Sequence, residues 1–401
     1  MIKNIVRYLI YLTIIATPLF TITEYIAMMQ GLYVVSFLEA TDYRIKMIKD
    51  LALIIIIMLS ILYLLLRAKI KMPNIIIIIG LIISSFFIGL ANNGLVFSFI
   101  SLRIYMPILL LIVAFNMLSD NDYEVLYRII IYLGCFEIFI AISQMIFGVG
   151  TGTSFFGIYK RVVGTFAYSN AFAIYMVMVN SILLAKRRNC IENILLFIST
   201  ILIFISGSAA GIACMCIIYI LYILFNKERI TIAKLLIAKS IVLFTLIIIV
   251  FMPVITARDG VYSRSAGGRL VVFFRLLENR TPFEILFGRG IGVGTNTTKY
   301  LLESKIIESK DTAFISDSQY VSIFAQAGLL GLSVYIMISI YMVYLSYKYR
   351  YKIGMYIFPI ILFYNLSGNI LEIFPLNWIY PILAARAFQL KYLNHIDRVS
   401  I

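Results

Sequence analysis

Residues 186–229 read KRRNCIENILLFISTILIFISGSAAGIACMCIIYILYILFNKER, two apolar runs joined through Ser206-Gly207-Ser208 with basic clusters at both outer ends. Each run approaches the length a helix needs to cross ~30 Å of hydrocarbon. So short a joint leaves only an antiparallel hairpin, and the basic ends mark the side retained in the cytoplasm. The same pattern recurs along the chain. With 62% hydrophobic and 13% charged residues among 401, and a mean hydropathy of +1.01, a soluble domain would leave too much apolar surface in water. The expected fold is an all-α polytopic integral membrane protein, a single membrane domain over residues 1–401.

Working outward from the hairpin, apolar runs predict about twelve transmembrane helices. Before it they lie near residues 5–22, 48–66, 75–91, 98–117 and 127–147, with a sixth ending at Lys186. After it they lie near 235–252 and 321–347, followed by two more, parted around 372–377 and ending at Lys391. The first is too long, and too plainly continued by further spans, to be a cleaved signal peptide. Every second joint (67–71, 186–188, 227–234, 348–352) is short and basic. Those joints and both termini are therefore expected in the cytoplasm. Segments 148–170 and 253–320 fall on the opposite face, because long loops cross largely regardless of their charge. No repeat of solenoid period and no inverted pair of broken helices is visible.

The formal net charge of +15 does not point to nucleic acid, since the basic residues sit mostly in short joints, as topology signals do. Cys135, Cys190, Cys214 and Cys216 lie in or beside apolar helices, and the last two do not share a helix face. They supply neither a disulfide framework nor a metal set.

Segment 253–320 is the one long hydrophilic stretch, so chemistry is expected there. Its first half carries Arg258, Arg264, Arg269, Arg275, Arg280 and Arg289 without a lysine, which favours a planar guanidinium fork suited to phosphate. Gly268-Arg269-Leu270 opens an apolar stretch to Leu277, predicting a short helix on the membrane surface with Arg275 snorkelling. Thr281-Pro282 predicts an N-cap and first helical residue, and Gly288 the stop. Glycines 288, 290, 292 and 294 give a backbone able to approach a ligand closely; an ordinary loop tip is the equal alternative. No strand-turn-helix unit surrounds them, so they are not a dinucleotide fingerprint.

Arg161-Val162-Val163-Gly164-Thr165-Phe166 with Ser169-Asn170, then Gly268-Arg269, Pro282, Phe287-Gly288-Arg289-Gly290, Asp317-Ser318-Gln319-Tyr320 and Gly328-Leu329-Leu330-Gly331-Leu332 together resemble the O-antigen polymerase and O-antigen ligase family. The resemblance covers roughly residues 155–345 and rests on the order of the motifs. It implies glycan transfer from a polyprenyl diphosphate carrier at the outer face of a bacterial cytoplasmic membrane. Two departures bear on the branch. Family members often carry Ser-Arg in the turn between spans seven and eight, where this chain has Ser206-Gly207-Ser208. The ligase branch usually places a histidine where this chain has Asp317, and the chain's single histidine, His395, sits in the C-terminal tail. Both the polymerase and the ligase remain open, and the missing histidine favours the polymerase.

A sugar on a lipid diphosphate already has a good leaving group, so the main task is to stabilise diphosphate charge as the glycosidic bond breaks. Arg161 and Arg269 match family positions and are the first candidates. Arg258, Arg264, Arg275 and Arg289 follow, with a solvated or headgroup-facing arginine as the alternative for each. Asp317 is the candidate general base; capping the next span or pairing with a loop arginine are its other readings. Arg103 and Glu137 lie in apolar runs, where a charge is costly unless paired or wetted. Either lines the lipid-diphosphate site; the alternatives are a buried structural pair or an interfacial placement, since Arg103 is only a few residues inside its span. No His/Cys cluster or paired-carboxylate motif marks the outer loops, so no metal and no cofactor is expected.

The sequence thus points to a membrane polymerase of lipid-linked repeat units for O-antigen, capsule or another exopolysaccharide. A ligase and a lipid-linked oligosaccharide flippase are the alternatives. Against the flippase, charges concentrate in one outer loop and not at midplane positions along several spans. The resemblance implies undecaprenyl-diphosphate-linked donor and acceptor as partners, in membrane lipid, with a chain-length regulator and a flippase as candidate companions and no nucleic acid.

Overall fold

The computed structural model describes residues 1–22, 43–67, 76–153, 160–166, 168–186, 189–225, 277, 280–293 and 318–399. Their helices are α1 (Ile2–Ile15), α2 (Tyr43–Arg67), α3 (Ile76–Asn93), α4 (Leu95–Tyr105), α5 (Leu110–Met117) and α6 (Asp120–Ile146). They continue with α7 (Ser169–Ala185), α8 (Cys190–Ile205), α9 (Ala209–Phe225), α10 (Pro282–Phe287), α11 (Gln319–Lys348), α12 (Lys352–Tyr364) and α13 (Leu376–Val399). Among the described residues, four helical stretches are long and apolar enough to cross a membrane: Met47–Arg67, Leu95–Met117, Asp120–Ile146 and Gln319–Lys348. Several shorter apolar helices accompany them, and the protein is a helical, polytopic membrane protein. The expected span at 235–252 and most of segment 253–320, including the surface helix read from 268, lie outside the described residues.

Local chemistry sets the helix ends. Asn189 accepts from the Glu192 backbone N–H at 2.8 Å, and the Glu192 carboxylate accepts from the Asn189 N–H at 3.0 Å, a reciprocal cap that starts α8. Asp122 does the same at the start of α6 by accepting from the Ser119 N–H at 2.7 Å. It also takes Arg7 at 2.9 Å, which ties α1 to α6. Pro107, with no N–H to give, tightens the join of α4 and α5 into a 3₁₀ turn, Met106–Leu109.

Helix α7 is the axis of the bundle. Every residue from Ala171 to Leu184 is buried, and it packs against α6, α8, α9 and α12. Helices apolar on all sides take such positions.

A chain of contacts gathers the joints at one end. The Thr21 and Thr165 hydroxyls are 2.6 Å apart, and the Phe20 ring meets Phe374 edge-on at 5.5 Å. From there the Gln319 N–H donates to Gly368 O at 3.0 Å, and the Arg161 guanidinium reaches Ser206 O at 2.7 Å. The opposite end holds Tyr127 and Tyr351, with hydroxyls 2.9 Å apart, and the Lys186–Glu124 pair at 2.6 Å.

Candidate active site

The segment between α6 and α7 is fastened from below by two side chains two helical turns apart on α6. Gln144 Oε1 accepts from the Val163 and Gly164 backbone N–H groups, both at 3.0 Å, and its Nε2 donates to Gly164 O at 2.6 Å. Glu137 accepts from the Thr165 N–H at 2.7 Å and the Thr165 hydroxyl at 2.6 Å. With those residues fixed, Arg161 is aimed at the hairpin turn between α8 and α9. Its Nε donates to Ser206 O at 2.7 Å and its Nη2 to Gly207 O at 2.9 Å. These are carbonyls at the end of α8, where a cation is favoured. The turn that lacks an arginine of its own thus receives one from 45 residues upstream in sequence.

Glu137 and Arg103 do not pair. Arg103 instead meets Asp50 on α2 at 3.2 Å, and Glu137 is satisfied by Thr165. Nothing in the sequence sets a register between α2 and α4 from which Asp50 could have been chosen.

The second part of the site is built around a break in α11. Gly328 has φ 64° and ψ −163° inside that helix, so the carbonyls of the turn before it lose their helical partners. Loop 280–293 supplies them. The backbone N–H groups of Arg289 and Gly290 donate to Ala325 O and Gln326 O at 3.0 and 2.9 Å. Arg280 donates to Phe324 O at 3.3 Å and Ala325 O at 3.1 Å, with its guanidinium 5.3 Å from the Phe324 ring centroid. Ile291 N–H donates to Ser85 O at 2.8 Å, and Asn93 Nδ2 reaches Arg289 O and Ile291 O, each at 3.1 Å. The loop therefore stitches α3 to α11.

The expected short helix is present as α10. Thr281 accepts from the Glu284 N–H, Pro282 opens the helix, and Gly288, at φ 77°, closes it. The glycines that follow approach protein backbone closely. A Cβ on Gly288 would lie 2.3 Å from the Gln326 carbonyl carbon, and one on Gly290 would lie 2.0 Å from Gly89 N. Gly292 has more room, its nearest neighbours being 3.3 Å away; Gly294 lies outside the described residues.

Two charges in this loop are shifted. Burial, and then the neighbouring Arg289, bring the Arg280 guanidinium down to about 10. Burial opposes ionisation of Glu284, but the Thr281 backbone N–H and Arg289 outweigh it and hold the carboxyl below its usual range. Arg289 pairs with Glu284 at 3.0 Å.

Of the residues expected from sequence, Arg161 and Arg289 lie at the gathered end of the bundle, while Arg103 sits on α4 against Asp50. Arg258, Arg264, Arg269, Arg275 and Asp317 lie outside the described residues. Ser318, not Asp317, occupies the N-cap position of α11, and its hydroxyl donates to Asn365 O at 3.0 Å. Sequence reasoning passed over Arg280 as a site-building residue, along with the role of Gln144. The shared face of Glu137 and Gln144 on one helix was the available signal for the latter.

Beside loop 280–293 lies an apolar pocket walled by Ile78, Ile82, Tyr105, Gln326, Tyr335 and Leu371, among others. Two of its polar groups are engaged: Tyr105 donates to Gln326 Oε1, and Gln326 Nε2 donates to Val293 O at 2.9 Å. Such a pocket suits a hydrocarbon chain. Among the described residues no group of three or more His, Cys, Asp or Glu side chains is placed to hold a metal ion.

The chain matches no curated protein. The part running from α8, through the Ser206-Gly207 turn that Arg161 grips, to the Gly328 break of α11 does match a family model, described as O-Antigen ligase, over residues 194–336. Over those residues this membrane protein is accordingly similar to the O-antigen ligase family, a likeness that points to a related role in glycan transfer.

Proposed function

We propose that the protein is a polysaccharide polymerase that joins lipid-diphosphate-linked oligosaccharide repeat units at the outer face of the bacterial cytoplasmic membrane. The observation that supports the glycan-transfer part of this reading is the family match over 194–336, and Asp317 in place of the ligase branch's histidine is what favours the polymerase. An acceptor hydroxyl attacks the anomeric carbon of the donor sugar, the bond to the diphosphate oxygen breaks, and the lipid diphosphate departs. Arg161 and Arg269, supported by Arg258, Arg264, Arg275, Arg289 and Arg103, neutralise that leaving group. Asp317 takes the hydroxyl proton, replacing the histidine of the ligase branch. No metal enters this scheme, because guanidinium groups supply the charge.

The pool of lipid-linked glycan in a deletion strain tests the assignment. Single repeats on the carrier are expected. Long chains left on the carrier would make the protein a ligase, and material trapped facing the cytoplasm would make it a flippase. Within the same strain, Arg269→Lys is expected to restore little polymer although the charge is kept, because a point charge cannot make the bidentate contact. Asp317→Asn is expected to lower polymerisation about 100-fold, the usual scale of general base catalysis.

A further inference from the structure

Residues 365–377, the turn joining α12 to α13 with the first residues of α13, lie outside the family-matched segment and have an unusual surplus of acceptors. Asn365, Asn369 and Asn377 are 0%, 6% and 7% exposed, and the side-chain oxygen of each has no hydrogen-bond partner. Their amide nitrogens are all used. Asn365 Nδ2 donates to the Tyr335 hydroxyl at 2.8 Å, Asn369 Nδ2 to Glu372 Oε1 at 2.8 Å, and Asn377 Nδ2 to Leu371 O at 3.2 Å. A carboxylate and a backbone carbonyl only accept, which fixes the orientation of the last two amides. Buried acceptors without partners are uncommon and costly, and three on one short turn call for a ligand.

The chemistry of the set selects that ligand. Carbonyl oxygens without donors repel an anion, so phosphate is excluded. A hard divalent cation seeks several carboxylates, and the turn carries one, Glu372, already accepting from Asn369. A polyhydroxylated ligand supplies the donors that are missing. Two of the amides are bonded directly to the wall of the apolar pocket, since Tyr335 and Leu371 both line it. An acceptor-rich segment that contributes Leu371 to the wall of an apolar pocket matches an amphiphile with a saccharide head and a hydrocarbon chain.

We propose that residues 365–377 form a saccharide subsite, in which Asn365, Asn369 and Asn377 accept hydrogen bonds from the sugar hydroxyls of a lipid-linked substrate whose chain enters the adjoining pocket. This rests on the glycan-transfer reading above and adds to it the place where sugar identity is read. The phosphate end is left to the arginines, so mutation separates the two subsites.

The protein carries its own reporter. Trp378 is the single tryptophan of the chain, 1% exposed and adjacent to Asn377. Full-length protein in lipid nanodiscs is titrated with the soluble repeat-unit oligosaccharide released by mild acid from the cell's lipid-linked pool, and separately with inorganic pyrophosphate and with calcium chloride. A saturable change in Trp378 emission is expected with the oligosaccharide alone, lost in Asn369→Leu and Asn377→Leu. In turnover assays the same variants should raise KM for the lipid-linked substrate about tenfold or more with kcat little changed. Their thermal stability should change little, since each replacement removes an orphaned buried acceptor but also the amide donor to Glu372 Oε1 or Leu371 O. No saccharide response together with an unchanged KM would overturn the subsite, and a response to calcium alone would make it a cation site. A saccharide response in a protein that makes no polymer would keep the subsite and discard the polymerase.

Discussion

At the scale of single residues, the glycines of loop 280–293 and their neighbours separate backbone strain from crowding. Gly288 and Gly290 combine positive φ with a Cβ position inside another backbone, Gly94 has φ 82° but open space, and Gly80 has open space in mid-helix. In thermal denaturation of the purified protein, Gly288→Ala and Gly290→Ala are expected to cost more than the ~1–3 kcal/mol of positive-φ strain alone. Gly94→Ala should cost about 1 kcal/mol, and Gly80→Ala should be neutral or stabilising by up to ~1 kcal/mol. Equal effects across the four would mean that the close approach to α3 and α11 is absent. Glu284 adds a pH dependence. Its carboxyl is held below the usual range, so its contribution is fully present above the ordinary carboxylate pKa and is lost as pH falls through the folded value. Amide exchange in residues 280–293 should therefore quicken, relative to a neighbouring helix, as pH falls below about 4, and Glu284→Gln should remove that dependence. Little of this was legible beforehand. The alternating glycines stood out in sequence, but the backbone each one meets belongs to residues near 89 and 326, and no local rule brings those together.

At the scale of elements, what the sequence carried was the chemistry of helix ends. Asn189 with Glu192, and Thr281-Pro282 with Glu284, are reciprocal caps within four residues, so they can be read without knowing the fold. The break in α11 could not be read in the same way. Residues 321–347 present an uninterrupted apolar run in which Gly328 passes as a tolerated helical glycine, and only a loop some forty residues upstream satisfies the carbonyls it frees. The same holds for α6, where the buried Glu137 looks like half of an ion pair until Thr165, 28 residues on, is seen to satisfy it. Gln144 tests how far this fastening matters. Gln144→Leu would leave the N–H groups of Val163 and Gly164 and the Gly164 carbonyl without their bonds, each costing about 1–3 kcal/mol if left buried. Polymer formation is expected to fall together with protease resistance of the 160–168 segment, whereas Arg161→Ala should lower polymer yield at near-normal protein abundance. A Gln144→Leu protein with full activity would show that Arg161 does not depend on the turn beneath it.

At the scale of the whole molecule, the arrangement of the joints was the most legible feature, because alternating short basic joints and polar turns encode which ends of the helices lie together. The contacts agree: Asn93 with loop 280–293, Arg161 with the 206–207 turn, and Gln319 with Gly368 meet at one end, while Lys186 with Glu124, Arg386 with Asp120, and Tyr127 with Tyr351 meet at the other. Which end faces out is an expectation from charge alone, and it can be measured independently of activity. In a background with Cys135, Cys190, Cys214 and Cys216 replaced, single cysteines are introduced at exposed positions of each end. Leu366 and Tyr168, 55% and 53% exposed, report on the end with the candidate site; Asn121 and Arg350, both exposed, report on the basic end. A membrane-impermeant maleimide applied to intact spheroplasts should modify Leu366→Cys and Tyr168→Cys, and should reach Asn121→Cys and Arg350→Cys only after lysis. The reverse pattern would keep the fold but place the arginines and the apolar pocket on the cytoplasmic side, where a polymerase acting on translocated repeat units has no substrate. Labelling of one cysteine from each pair would instead separate joints that the helix contacts bring together. The choice of end matters because the expected excess of Lys and Arg sits on short joints at only one of them, and that bias fixes orientation as the chain inserts.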